Sequence, residues 1–171
     1  MSDVQTLLER NAAYAATHEV QRPVPAMGTL IVSCLDARTD PASFLGVRSG
    51  DAVVVRNGGG RVTPDVERDV AFLSVLYKQM SGNLPKVALV HHTGCGMQRL
   101  ADPHTLTQIS RASGLTEASL QHVAIHDPAD SLREDLDRLR RSSVVPEGVL
   151  VTGLIYDTVT GVAEVQFEEL I

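Results

Sequence analysis

The chain has 171 residues, 43% of them hydrophobic and 21% charged, and a formal net charge of -6. That is enough apolar material for one domain (1–171) around one core, and too much for a disordered chain. The acidic balance argues against a nucleic-acid partner, and no apolar run approaches the ~20 residues that span a bilayer, so no membrane partner is expected.

The start, Met1-Ser2-Asp3-Val4-Gln5, lacks the basic and apolar regions of a signal peptide, which implies a cytoplasmic protein. Two cysteines in that compartment read as ligands or core residues rather than as a disulfide. Val4, Leu7, Leu8, Ala12 and Ala15 recur at helical spacing and predict an amphipathic helix over 3–17, capped by Ser2 or Asp3. Arg22-Pro23-Val24-Pro25 then breaks regular structure, so that 1–25 forms a protruding helical arm and 28–171 the core. The arm's apolar face needs cover from its own domain or from a second subunit.

A first strand is predicted over 29–33, a helical turn from Asp40-Pro41, and a second strand over 52–55 that runs into Arg56-Asn57-Gly58-Gly59-Gly60. Three glycines at a strand end permit close backbone approach or positive φ. Thr63-Pro64-Asp65 opens a helix whose apolar face is Val66, Val70, Leu73 and Tyr77, and Ser81-Gly82-Asn83 closes it. A third strand covers 87–90. Short helices are expected over 105–112 and 115–122. A clearer helix follows, with Ser131 and Glu134 spaced as a capping box and Leu132, Leu136 and Leu139 turned to the core. A fourth strand, 149–156, leads through Asp157-Thr158-Val159-Thr160-Gly161 into an antiparallel edge strand over 162–167.

Both cysteines follow apolar strand-like runs: Cys34 after Leu30-Ile31-Val32, and Cys95 shortly after Val87-Ala88-Leu89-Val90-His91-His92. Cys34, His92 and Cys95 make a soft three-ligand set of the kind zinc (Zn2+) prefers, and three protein ligands leave a position open for catalysis. Zinc bonds of ~2.3 Å to sulfur and ~2.0 Å to nitrogen would require the first and third strands to be neighbours, ~4.8 Å apart. The expected fold is therefore α/β, with a mainly parallel sheet in the order 2-1-3-4, an antiparallel edge strand and flanking helices. The ligands would sit at the switch point outside the carboxyl ends of the strands. Asp36 and Arg38, at alternate positions beyond Cys34, would lie on one side of an extended backbone, with the arginine fork orienting the carboxylate. His91 points away from His92 and reads as a buried or supporting residue. His104, His122 and His126 read as exposed, and Gly58-Gly59-Gly60 is not a phosphate loop because no lysine and serine follow.

Cys34-x-Asp36-x-Arg38 followed by His92-x-x-Cys95-Gly96 resembles the paired signature of the β-class carbonic anhydrases, in its compact branch. Arg56-Asn57-Gly58-Gly59 and Gly153-x-x-Tyr156-Asp157-x-x-x-Gly161 are similar to further segments of that family. The resemblance implies conversion of CO2 and water to bicarbonate and a proton by a zinc-bound hydroxide. It implies Cys34, His92 and Cys95 as metal ligands and Asp36 with Arg38 as the catalytic pair, Asp36 serving as a fourth ligand in a closed form. Gly58, Gly59 and Gly96 would line the substrate. It further implies a homodimer or larger assembly in which the N-terminal helix embraces the partner. The chain departs from the family in having no Trp, and Gln21 is out of register with the substrate glutamine of plant-type members. Close relatives that hydrolyse CS2 or COS with the same ligands supply an alternative substrate. A non-catalytic zinc- or bicarbonate-binding protein is a third reading, and it leaves Asp36 and Arg38 without a purpose.

Overall fold

The computed structural model describes residues 3–171. Its centre is a sheet in the order β2-β1-β3-β4-β5, built from β1 (Thr29–Cys34), β2 (Val53–Asn57), β3 (Lys86–His92), β4 (Leu150–Tyr156) and β5 (Ala163–Leu170). β1 pairs parallel with β2 and β3, β3 pairs parallel with β4, and β5 returns antiparallel along β4. This is the order expected if Cys34, His92 and Cys95 share one metal site. β1 is buried from Leu30 to Cys34 because helices and loops cover both of its faces, which explains a continuous apolar run where a half-exposed strand would alternate.

The larger core lies on one face. Leu30, Val32, Val87, Leu89 and Val151 of the sheet, with Val149 just before β4, meet Val66 and Val70 of α3 (Pro64–Ser81) and Leu132, Leu136 and Leu139 of α6 (Pro128–Arg141). At Gly153 the packing is closest: a Cβ there would stand 2.4 Å from the Phe167 ring, so any side chain would displace the edge strand. On the opposite face Ile31, Val90 and Tyr156 pack with Phe44 of the short α2 (Pro41–Phe44), the Phe44 and Tyr156 rings 4.2 Å apart. α4 (Pro103–Ser113) and α5 (Glu117–Gln121) hold a satellite cluster of Leu100, Leu106, Leu120 and Ala124.

α3 starts as the sequence indicates, with Thr63 accepting from the Val66 N–H, Pro64 at the first turn, and Gly82 closing the helix at φ 77°. The Ser131/Glu134 capping box does not form. α6 starts at Pro128, where Asp127 accepts from the Ala129 and Asp130 N–H groups at 2.8 and 3.1 Å. An aspartate followed by proline satisfies the first donors and presets φ, so the start lies upstream of the serine. Ser131 is buried inside the helix, and Glu134 reaches Arg61 instead.

α1 (Asp3–Ala15) ends earlier than expected and has no buried residue. Val4, Leu7 and Leu8 are 64, 60 and 58% exposed, so the helix is amphipathic but its apolar face is not covered by the chain's own core. Of the two expected caps, Ser2 lies outside the described residues, as does Met1.

Candidate metal centre

β1 and β3 end side by side, and each delivers a buried soft donor. Cys34 is the last residue of β1 and His92 the last of β3. The Thr93-Gly94 turn, with Gly94 at φ 64°, then brings Cys95 back to the same place. The Cys34 and Cys95 sulfurs and a ring nitrogen of His92 lie within 4.8 Å of one another, and all three residues are buried.

Two observations test this group against a metal. The sulfurs are 3.8 Å apart. Donors at ~2.3 Å from a shared tetrahedral ion are separated by about 3.8 Å, so the spacing is that of zinc-bound thiolates. The second is an orphan. His92 Nδ1 lies 3.0 Å from the Thr93 carbonyl, which only accepts, so Nδ1 carries the proton and Nε2 keeps its lone pair. Nε2 is buried and has no hydrogen-bond partner. A buried acceptor without a partner costs ~1–3 kcal/mol, and a bound cation between the sulfurs relieves that cost. The residues fit zinc.

The surroundings favour a thiolate at Cys34. Its sulfur meets the Cys95 thiol, lies beside the His92 ring, and accepts from the Asp36 N–H at 3.5 Å and from the Gly59 N–H, and these neighbours lower its pKa against the opposing effect of burial. The same contact, with one proton between two sulfurs, pushes Cys95 up. Gly60 makes this roof possible: at φ 68°, a Cβ would stand 2.7 Å from the Val90 carbonyl oxygen and 3.1 Å from the Cys34 nitrogen. The triple glycine thus passes close to the ends of β1 and β3. Ile125 and Met97 pack against both cysteines as an apolar wall. Gly58 abuts Met97 and Gly59 abuts Ile125, while Gly96 faces open space.

Asp36 and Arg38 do pair, for a different reason than the extended backbone expected from their spacing. Residues Ala37–Thr39 form a 3-10 turn with Asp36 as its cap. Asp36 Oδ1 accepts from the Arg38 backbone N–H at 3.0 Å and from Nε at 2.9 Å, and Oδ2 accepts from Nη2 at 2.6 Å. The turn folds the guanidinium back over the carboxylate and holds Asp36 ionised well below the usual carboxylate range. Both oxygens are engaged by Arg38, and the three-residue donor group does not include Asp36. Arg38 Nη2 also donates to the Gly94 carbonyl at 3.1 Å, which ties the pair to the loop carrying Cys95. Arg56 clamps the other side, donating to the carbonyls of Cys34 and Asp36 at 3.0 and 2.6 Å.

Residues 29–163 match the carbonic anhydrase family. The chain is 30% identical over 162 residues to beta-carbonic anhydrase 1 of Mycobacterium tuberculosis, covering 94% of this chain and 96% of that protein. The chain belongs to the β-carbonic anhydrase family. A crystal structure of a carbonic anhydrase from Streptococcus mutans superposes with a TM-score of 0.78 at 32% identity, covering 96% of this chain and 98% of that one. The chain is also 24% identical to a carbon disulfide hydrolase from Acidianus, over 76% of its length and 72% of that protein.

Sequence reasoning missed the other polar cluster of this carbonic anhydrase. Arg61 and Asp135 are 1 and 0% exposed. Arg61 Nε donates to both Asp135 oxygens, Nη1 to the Ala124 carbonyl and Nη2 to Glu134. Asp135 also receives Arg138 at 3.0 Å and His91 Nε2 at 3.1 Å, and His91 Nδ1 meets the Pro128 carbonyl. His91 is therefore buried with a protein acceptor beside each ring nitrogen, and its direction opposite His92 was readable from strand alternation. Arg61 was not readable, because an arginine after a glycine run reads as surface. His104, His122 and His126 are exposed, as expected. Gln21 lies against Gly50 in the loop before β2.

Proposed function

We propose that this β-carbonic anhydrase family member interconverts CO2 and bicarbonate, holding one zinc ion through Cys34 Sγ, His92 Nε2 and Cys95 Sγ. The observation that carries the reading is the buried, partnerless Nε2 beside sulfurs 3.8 Å apart. A zinc ion bound there acidifies water, so that a strong nucleophile is available near neutral pH. Asp36, ionised by Arg38, can only accept, so it would hold the proton of the attacking group. The Arg38 fork keeps the carboxylate from rotating toward the sulfurs, and the Gly94 carbonyl keeps Arg38 from following it. Met97 and Ile125 pack against the cysteines as apolar neighbours that would suit CO2, with Gly58, Gly59 and Gly96 as the backbone proposed to border it. A zinc assay with CO2 hydration measured in parallel with CS2 and COS hydrolysis tests this reading. About one zinc per chain and rapid hydration are expected, and activity on CS2 or COS alone would replace the substrate. The β-carbonic anhydrase relative covers 94% of the chain at 30% identity, against 76% at 24% for the carbon disulfide hydrolase, which favours CO2.

The exposed Val4, Leu7 and Leu8 support assembly as a homodimer or larger, α1 lying on a second copy. Deleting 3–17 should give monomeric or insoluble protein on size-exclusion chromatography, and a soluble, fully active dimer after deletion would remove α1 from the interface. Two cysteines not paired in a disulfide are usual in a reducing compartment, which supports the cytoplasm. Core and arm are proposed to act as one unit.

A further inference from the structure

The Thr93 carbonyl receives two donors. One is His92 Nδ1 at 3.0 Å, the contact that fixes the ring's tautomer. The other is the Thr158 hydroxyl at 3.1 Å, reaching across from the β4–β5 turn. The hydrogen bonds between these threonines run in one consistent sense. Thr158 N–H donates to Thr93 Oγ1 at 3.0 Å, and the two hydroxyls are 3.2 Å apart. Because the Thr158 hydroxyl spends its proton on the carbonyl, the Thr93 hydroxyl donates to it, and each hydroxyl donates once. The Thr93 N–H donates to the Tyr156 carbonyl at 3.0 Å. The peptide carrying Thr93 is therefore clasped at its nitrogen, its side chain and its oxygen by the end of β4 and the turn beyond.

That turn is itself fixed. Asp157 Oδ1 accepts from the Val159 and Thr160 N–H groups at 2.7 and 3.1 Å, and the Asp157 carbonyl accepts from Gly161 N–H at 2.8 Å. The next carbonyl along the clasped loop, Gly94, is the acceptor for Arg38. One short peptide segment thus carries the supports of a metal donor and of the Asp36–Arg38 pair, and the Thr158 side chain holds it from outside at the Thr93 carbonyl.

We propose that Thr158 is a positioning residue for the metal centre, acting through the Thr93 carbonyl on the His92 ring and through the Gly94 carbonyl on Arg38. Its hydrogen bonds go to Thr93 and to none of the three donor residues. Its hydroxyl keeps the carbonyl aimed at Nδ1, so that Nε2 stays aimed between the sulfurs. The inference rests on His92 being a zinc ligand. A carbonyl with a second donor is held on two sides. With His92 alone, peptide and ring can rock together, and the donor loses the alignment a metal requires.

Thr158→Val keeps the shape and removes the hydroxyl, both the donor to the Thr93 carbonyl and the acceptor for the Thr93 hydroxyl. The site has room, since a Cβ on Gly94 would still be 4.0 Å from Thr158 Oγ1. Thr158→Ser retains the donor, and Thr158→Ala serves as a second donorless variant should valine fail to fold. The primary readout is zinc affinity, measured by competition with a chromophoric chelator, with circular dichroism as the fold control and His92→Ala alongside. Thr158→Val is expected to bind zinc about 10-fold more weakly and to lower kcat with KM for CO2 little changed, and Thr158→Ser to restore both. Wild-type zinc affinity in a folded Thr158→Val or Thr158→Ala protein overturns the inference, as does a serine variant as defective as valine. If His92→Ala binds zinc as wild type, the ligand assignment falls and this inference with it. If His92→Ala loses zinc while Thr158→Val does not, only the role of Thr158 falls.

Discussion

His91 and His92 are adjacent, equally buried at 1% exposure each, and made of the same chemistry, yet they face opposite problems. His91 has a partner on each ring nitrogen: the Pro128 carbonyl at 3.2 Å and Asp135 at 3.1 Å. His92 has one, the Thr93 carbonyl, and its Nε2 has none. Strand alternation sends the first toward α6, where Arg61, Asp135 and Arg138 form a closed ion cluster, and the second toward the two cysteines. A polar group buried with every valence used reads as structure. One buried with a lone pair left over, beside two thiols, reads as a site for something the polypeptide does not itself supply.

The largest expected effect breaks the comparison at its centre. His92→Ala should lose most of its zinc and essentially all hydration activity, while His91→Asn should keep close to one zinc per chain by elemental analysis. Equal zinc contents would mean that burial and partners do not distinguish the two rings. Next is the closed cluster. Arg61→Leu leaves Asp135 without the partner that bonds both of its oxygens, although Arg138 and His91 remain. Breaking a buried pair of this kind costs ~3–5 kcal/mol, readable as a lower urea midpoint with unchanged slope. A stability loss of less than ~1 kcal/mol from the midpoint and slope would show that Arg138 suffices.

Arg38→Ala should act in the opposite sense, on rate and not on stability. Its guanidinium is exposed, so its pairing adds little to folding, but turnover should fall ~10- to 100-fold with zinc retained. Superimposable rates across pH 6 to 9 for the two zinc-loaded proteins, on the order of experimental error, would make the pair structural. The smallest effect belongs to the β4–β5 turn. The Thr160 and Val159 N–H groups hold Asp157 below the usual carboxylate range. A depressed folded pKa stabilises above the unfolded value of ~3.9 and is lost as pH falls through the folded value. The difference in thermal midpoint between wild type and Asp157→Asn should therefore be present at neutral pH and shrink in acid. A difference that grows in acid would reverse the sign and remove Asp157 as the cap.

Much of this was legible in the chain alone. Local rules govern Thr63-Pro64, the run before Cys34, and the alternation of His91 and His92, because caps, strand period and proline geometry act over a few residues. The soft donor set was legible because zinc chemistry restricts residue type. Other features needed the folded molecule. The Asp36–Arg38 pair was anticipated, but it forms through a 3-10 turn that depends on Arg56 and Gly94 from distant segments. The true start of α6 was misplaced because Asp127-Pro128 outcompetes a capping box that lies further along the chain. Arg61 could be buried only because residues 73 and 74 positions away, Glu134 and Asp135, arrive to neutralise it, and no local pattern records that meeting. The orphaned Nε2 of His92 has the same origin. Sequence determined which donors exist and on which strand face they stand. Only tertiary packing decided which of their valences were satisfied, since hydrogen-bond partners come from segments far apart in the chain.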